Sequence, residues 1–180
     1  LSALKTFVER GVPVIGLEPS CLLTLRDEFK AMLPGAETKS LAGAALLFEE
    51  FLAREQDAGT LALDLKPLPD GRALVHGHCH QKAFGIMADV VRVLRLVPEL
   101  EVEVIESGCC GMAGAFGFDA DHYDVSMKMG ELDLLPAVRE VAEEDLIVAA
   151  GTSCRQQIRD GADRTARHPA LVLEAALKDD

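Results

Sequence analysis

Tryptophan is absent from this 180-residue chain, tyrosine occurs once, and aromatic residues make up only 4% of it. Stacking on bases needs such rings. The 18 Lys and Arg are outnumbered by 30 Asp and Glu, and the net charge of −12 repels phosphate backbones and anionic lipid. Nucleic acid is therefore excluded as an expected partner. No apolar run approaches the roughly 20 residues that span a bilayer, so no membrane span is expected. The opening LSALKTFVERG reads as a helix leading into a strand rather than as a secretory signal, and Leu1 is not an initiator Met. We expect a piece of a longer polypeptide.

What is present is an ordinary globular composition, 49% hydrophobic and 27% charged in 19.3 kDa. That is enough for one well-buried α/β domain over residues 1–180, with halves at about 1–60 and 72–180 on either side of the Pro- and Gly-rich stretch 57–72. Five cysteines, an odd number in a chain with a normal core, do not make a small secreted disulfide scaffold. They point to a reducing compartment, the cytoplasm, with the inner face of the membrane as a peripheral setting.

The cysteines Cys21, Cys79, Cys109, Cys110 and Cys154 follow four short aliphatic runs, 12–17, 73–76, 102–106 and 146–150, which read as strands. Each run precedes a segment able to start a helix. Helices are expected at 22–33, 40–56, 83–96, 123–141 and 155–160, with a last one after His168-Pro169, where Pro suits the first helical position. A short edge strand is expected at 61–65. If the four strands are parallel in one sheet, every strand-to-helix turn falls at the same carboxyl edge and the thiols converge there. The fold class expected is thus α/β: a mainly parallel sheet of about four strands flanked by helices, in two similar halves. VIGLEPSCLLTL and IVAAGTSCRQQI, aligned on Cys21 and Cys154, form a weak internal repeat.

A thiol at a helix N-terminus meets free N–H groups and the positive end of the dipole, which favour thiolate, the form that binds metal. In ESGCCGMAGAFG, Gly108, Gly111, Gly114 and Gly117 let the backbone approach a bulky ligand and aim N–H groups at sulfur. Adjacent side chains diverge, so Cys109 and Cys110 suit two irons of a cluster better than one small ion. Any one of these cysteines alone is an ordinary small buried residue; five at equivalent positions make a shared metal site. Alternation across a strand end places His76, His78 and His80 on one side, as hydrogen-bonding groups beside the site or as zinc ligands. His122 and His168 read as helix-end or capping residues. Glu18 and Glu106 are caps or proton-linked groups, and Lys82 and Arg155 either offset thiolate charge or are solvated.

HGHCH, GCCGMAG and GTSC resemble the cysteine-rich CCG domain shared by heterodisulfide reductases and glycolate oxidase iron–sulfur subunits, over nearly the whole chain. GLEPSCLLTLRDEF and GTSCRQQI look most like the C-terminal iron–sulfur region of large FAD-linked D-2-hydroxyacid oxidoreductases, D-lactate and D-2-hydroxyglutarate dehydrogenases among them. In that family a C…CC…CxxC pattern holds a [4Fe-4S]-type cluster, of non-cubane form in heterodisulfide reductase. The resemblance implies Cys79, Cys109, Cys110 and Cys154 as ligands; the chemistry of the residues themselves adds Gly108, Gly111, Gly114, His78 and His80 around the cofactor. Gly151 stands at the first cysteine position of CxxC, and Cys21 is the available replacement. The function implied is electron transfer from a FAD-binding dehydrogenase part of the same polypeptide or complex to a further acceptor, with no dehydrogenase activity in this chain alone. Two other readings remain open from the residues themselves: a zinc-stabilised structural domain using Cys79, Cys110, Cys154 and a histidine, and a thiol–disulfide enzyme acting through Cys109 and Cys110.

Overall fold

A computed structural model describes residues 1–178. Its contacts divide the chain into two compact units, Leu1–Leu61 and the residues from Ala62 onward. The first contains α1 (Ser2–Glu9), β1 (Val14–Gly16), α2 (Pro19–Thr24), α3 (Glu28–Met32), α4 (Ala36–Ala44), β2 (Ala45–Leu47) and α5 (Phe48–Asp57). β1 and β2 pair in parallel, Val14 opposite Ala45 and Gly16 opposite Leu47, as a two-stranded sheet of their own. The run 12–17 is therefore not a strand of the larger sheet. Nor is 40–56 one helix, because the chain leaves α4 to lay Ala45 and Leu47, both buried, along β1. An aliphatic run that satisfies a helix stripe also satisfies a short buried strand, and tertiary pairing chooses between them. Glu50 fixes the restart of the helix: its Oε2 accepts the Leu47 N–H at 2.9 Å and meets the Arg26 guanidinium at 2.7 Å.

The second unit contains β3 (Arg72–His76), α6 (Cys79–Ala83), α7 (Met87–Leu94), β4 (Glu101–Val104), a 3-10 turn at Phe116–Phe118, α8 (Tyr123–Gly130), α9 (Leu134–Glu140), β5 (Leu146–Ala149), α10 (Thr152–Ala162), β6 (Ala166–Arg167) and α11 (Pro169–Ala176). Its sheet has the order β4-β3-β5-β6 and every pairing is parallel. The α/β class with a four-stranded parallel sheet flanked by helices is thus present, with β6 taking the place that the sequence assigned to residues 12–17. β5 is buried along its whole length, and β3 at all but its first residue. Central parallel strands are covered on both faces, which is why they read as continuous aliphatic runs. β4, at the edge, alternates Glu and Val instead.

Leu74, Ile105, Leu134, Val138, Ile147 and Ile158 make one core cluster, and Cys110 and Cys154 belong to it. The expected helices 83–96 and 123–141 are each interrupted, leaving α6 with α7 and α8 with α9. The expected edge strand at 61–65 reduces to one antiparallel bridge, Leu65 to Leu177. Among the described residues no helix is long and apolar enough to cross a membrane.

One carboxyl in the first unit is buried with an oxygen left unpaired. Glu49, the second residue of α5, is 1% exposed and its Oε1 has no hydrogen-bonding partner. Burial pushes its carboxyl from 4.5 up to about 7, opposed by the bond to its own backbone N–H and reinforced by neighbouring Glu50. A carboxyl whose folded value is raised contributes fully below its unfolded value, and the contribution is lost as pH rises through the folded one. Glu49→Gln should therefore match the native chain near pH 4.5 and exceed it by up to about 3 kcal/mol at pH 8 in urea unfolding. A difference independent of pH would show that the carboxyl is solvated in the folded chain.

Candidate metal centre

Three turns at the carboxyl edge of the second unit's sheet carry the thiols. β3 ends at His76 and turns at Gly77. His78 then caps α6: its Nδ1 accepts the His80 N–H at 3.2 Å, and Gln81 Oε1 accepts the His78 N–H at 3.0 Å. Cys79 is thereby held as the first residue of the helix. After β5, Arg155 donates to the Ala149 and Ala150 carbonyls at 3.0 and 2.5 Å, which pins the turn into α10 and sets Cys154 as its third residue. After β4 comes the glycine turn. Gly111, Ala113 and Gly114 all have positive φ, of 97°, 41° and 69°, a backbone that glycine adopts without strain at two of the three positions.

Lys82 ties the first turn to the third. Its ammonium donates to the carbonyls of Ser107 and Gly108, the latter at 3.0 Å, and approaches Ser107 Oγ at 3.4 Å. Helix α6, which starts with Cys79, is thus anchored beside Cys109.

The four cysteines of this unit meet as two hydrogen-bonded pairs. The Cys79 thiol donates to Cys109; burial, that bond and the charge of the neighbouring thiolates push Cys79 up to about 11, with Lys82 opposing. The Cys154 thiol donates to Cys110, and this bond is the largest influence on both. It stabilises a Cys110 thiolate, helped by His76 and by the Met112 backbone against the cost of burial, while Cys154 retains its proton far above the usual range. Gly111 donates its backbone N–H to Cys109 Sγ at 3.3 Å. Cys110 and Cys154 are buried, whereas Cys79 and Cys109 are half-buried.

A ring nitrogen of His76, Cys110 Sγ and Cys154 Sγ lie within 4.8 Å of one another. His76 is 1% exposed, with Nδ1 3.0 Å from Ser107 Oγ and Nε2 lacking a hydrogen-bonding partner. Sequence reasoning names His76 only in a group of three and misses Ser107. A histidine ending a strand with no exposed position is the available signal for the first, and nothing in the sequence marks the second.

Other expected site residues fall elsewhere or act differently. Cys21 is the single cysteine of the first unit and is exposed, on α2. It occupies the third helical position as Cys154 does in α10, so the repeat is present in the local backbone. His76, His78 and His80 do not share one side by strand alternation, because the chain turns into a helix at Cys79. His80 Nδ1 is buried without a partner, and its ring stands 5.3 Å from that of His78, edge to face. Gly108 and Gly114 line open space, with nothing within 4 Å of an added Cβ. At Gly151 a Cβ would lie 2.5 Å from His78 Cδ2 and 3.2 Å from Cys154 Sγ, so His78 fills the room a cysteine there would need. His168 caps α11 through Nδ1 at 3.0 Å from the Ala170 N–H, and His122 stacks on Phe116 at 4.1 Å. Ser20 Oγ donates to Glu18 at 2.8 Å, and Glu106 is exposed.

Fold and site together define a parallel α/β domain that gathers soft donors at the carboxyl edge of its sheet. Comparison with known proteins gives this class a context, and the chain is homologous over almost all its length to parts of two kinds of dehydrogenase. It is 34% identical over 170 residues to one of the subunits of anaerobic glycerol-3-phosphate dehydrogenase from Escherichia coli K12, covering 93% of this chain and 41% of that one. It is 29% identical over 180 residues to D-2-hydroxyglutarate dehydrogenase of the same strain, and 27% over 172 residues to that of Pseudomonas putida, covering 97% and 94% of this chain but 16% of each relative. The chain thus spans about two fifths of the glycerol-3-phosphate relative and about a sixth of the other two. No family model and no solved structure matches it.

The glycine turn is where the site is least tolerant. A Cβ on Gly111 would collide with the Ser126 carbonyl and press on Gln157 Nε2, which itself donates to that carbonyl at 3.0 Å. Gly111→Ala should cost at least about 2 kcal/mol and abolish metal uptake, while Gly114→Ala, facing open space, should cost only the left-handed strain of about 1 kcal/mol. Denaturant unfolding and metal content of the two variants test the contrast; equal losses would mean that space at Gly111 is not limiting.

Proposed function

We propose that this chain is an iron–sulfur electron-transfer domain of a FAD-linked 2-hydroxyacid dehydrogenase or a closely related enzyme, a CCG-type cysteine-rich domain within a longer polypeptide. The observation that carries the reading is the convergence of four thiols from three strand-end turns, two of them adjacent in sequence. The donor set fits the group: thiolate sulfur is the ligand of [4Fe-4S]-type clusters, and the open rim at Gly108 and Gly114 leaves backbone approach unobstructed. When bound, such a cluster accepts and passes on electrons one at a time. Cys79, Cys109, Cys110 and Cys154 would hold it, with Cys21 the further thiol available from the first unit.

The protein's part is to stabilise thiolate and to tune the cluster. Lys82 favours charge at Cys79, and the Gly111 and Met112 N–H groups donate to Cys109 and Cys110. Hydrogen bonds to sulfur and partial burial both set the reduction potential. The homologous proteins named above are dehydrogenases of secondary alcohols that carry anionic groups. A FAD-binding part, in the same polypeptide or complex, would oxidise such a substrate and supply the electrons. Residence in the cytoplasm, against the inner face of the membrane, fits five free thiols.

A zinc-stabilised domain is the second reading, favoured by the compact His76, Cys110 and Cys154 triad. Chain purified without oxygen distinguishes the two. About four irons and four sulfides per chain, with an EPR signal on reduction, are expected for the cluster. In Cys109→Ser/Cys110→Ser they should be lost. One zinc without sulfide would establish the structural domain and remove the electron-transfer reading.

A further inference from the structure

Burying an imidazole is costly unless both ring nitrogens are satisfied. His76 ends β3, opposite Ala149 of β5, with 1% of its surface exposed. Its two nitrogens have different surroundings, and these surroundings select a tautomer.

Nδ1 lies 3.0 Å from Ser107 Oγ. That oxygen also lies 3.4 Å from Lys82 Nζ, which can only donate. The one hydroxyl hydrogen of Ser107 has a separate acceptor in the Ile105 carbonyl, at 3.5 Å. With Lys82 donating in and the hydroxyl donating out, Ser107 Oγ has a remaining lone pair for an Nδ1–H. The proton on Nδ1 leaves a bare lone pair on Nε2. That atom is buried and without a hydrogen-bonding partner, and the His76 ring stands with Cys110 Sγ and Cys154 Sγ in a triad no wider than 4.8 Å.

We propose that His76 is a metal ligand through Nε2, so that the centre carries one imidazole beside its thiolates. The proposal rests on the metal-binding reading above and adds a ligand to it. An imidazole with one nitrogen fixed by a hydrogen bond and the other free towards the site is the arrangement found in metal-bound histidines. Metal bonds of about 2.3 Å to sulfur and 2.0 Å to nitrogen place tetrahedral donors about 3.5–4 Å apart, within a small side-chain adjustment of this triad. Cys110 and Cys154 would share the imidazole-bound metal atom, and Cys79 and Cys109, on the outer side, would serve the remaining atoms. Imidazole in place of thiolate removes a negative charge from the centre, which raises its reduction potential.

The test uses the iron- and sulfide-loaded chain, with histidine carrying either nitrogen-14 or nitrogen-15. Pulsed EPR of the reduced centre should show a strong coupling that changes with the histidine isotope and disappears in His76→Ala. His76→Cys keeps the test open if the alanine variant does not load. It should bind iron and sulfide, lack the nitrogen coupling and have a lower midpoint potential than the native chain. A loaded native centre without a strong histidine coupling, or one whose coupling survives in His76→Cys, overturns the proposal and leaves the electron-transfer reading standing. In that case the opposite tautomer holds, and His76 donates a hydrogen bond to thiolate. If the native chain takes up no iron and sulfide, the electron-transfer reading falls, and cobalt(II) tests His76 by itself. A visible spectrum that loses its nitrogen ligand in His76→Ala supports ligation, and one that is unchanged excludes it.

Discussion

Parallel pairing of β3 with both β4 and β5 obliges each connection to return across a face of the sheet, so that successive strands deliver their following turns to one edge. The register fixes this closely: Val75 lies opposite Val104, and His76 opposite Ala149. Residues far apart in sequence then begin their turns side by side. A helix starts within three residues of the end of β3 and of β5, which places Cys79 and Cys154 beside the glycine turn that follows β4. The site is a consequence of strand polarity before it is a consequence of any single side chain.

Electrostatics then differentiates thiols that topology has brought together. Two neighbouring thiols in a poorly solvated place do not both ionise, and the proton that remains is shared as a hydrogen bond. Cys110 carries the charge of its pair because the Met112 backbone donates to it and the His76 imidazole lies beside it, whereas Cys154 has only its partner. Binding a metal replaces that proton, which is how soft-metal sites couple to proton release.

The sequence displays some of this and conceals the rest for identifiable reasons. Residues 73–76 and 146–150 are legible as strands because a central parallel strand has no polar face, and the cysteines mark the edge. Residues 45–47 are not, since ALL satisfies both a helix stripe and a buried strand; only the pairing with β1 decides it. The break between α6 and α7 falls at Gly85, whose φ is 71°, and Gly130 marks the one between α8 and α9; a single glycine inside an aliphatic stripe is tolerated in a helix as often as it ends one. Spacing after strand-like runs groups all five cysteines, whereas the structure gathers four of them in the second unit and leaves Cys21 in the first. The link between His76 and Ser107 spans 31 residues of sequence and depends on the register of β3 with β4, which no local pattern encodes.

The depth of the four thiols differs in a way that separates folding from loading. Cys110 and Cys154 pack in the same apolar cluster as Ile147, Leu134 and Ile158, so they reach their places when the core closes. Cys79 and Cys109 remain half-exposed beside Gly108. A metal or cluster reaching this site from solvent would meet the outer pair before the inner one. The half-exposed thiols form an accessible rim and the buried ones a floor already held by the core, so order of access and depth of packing coincide.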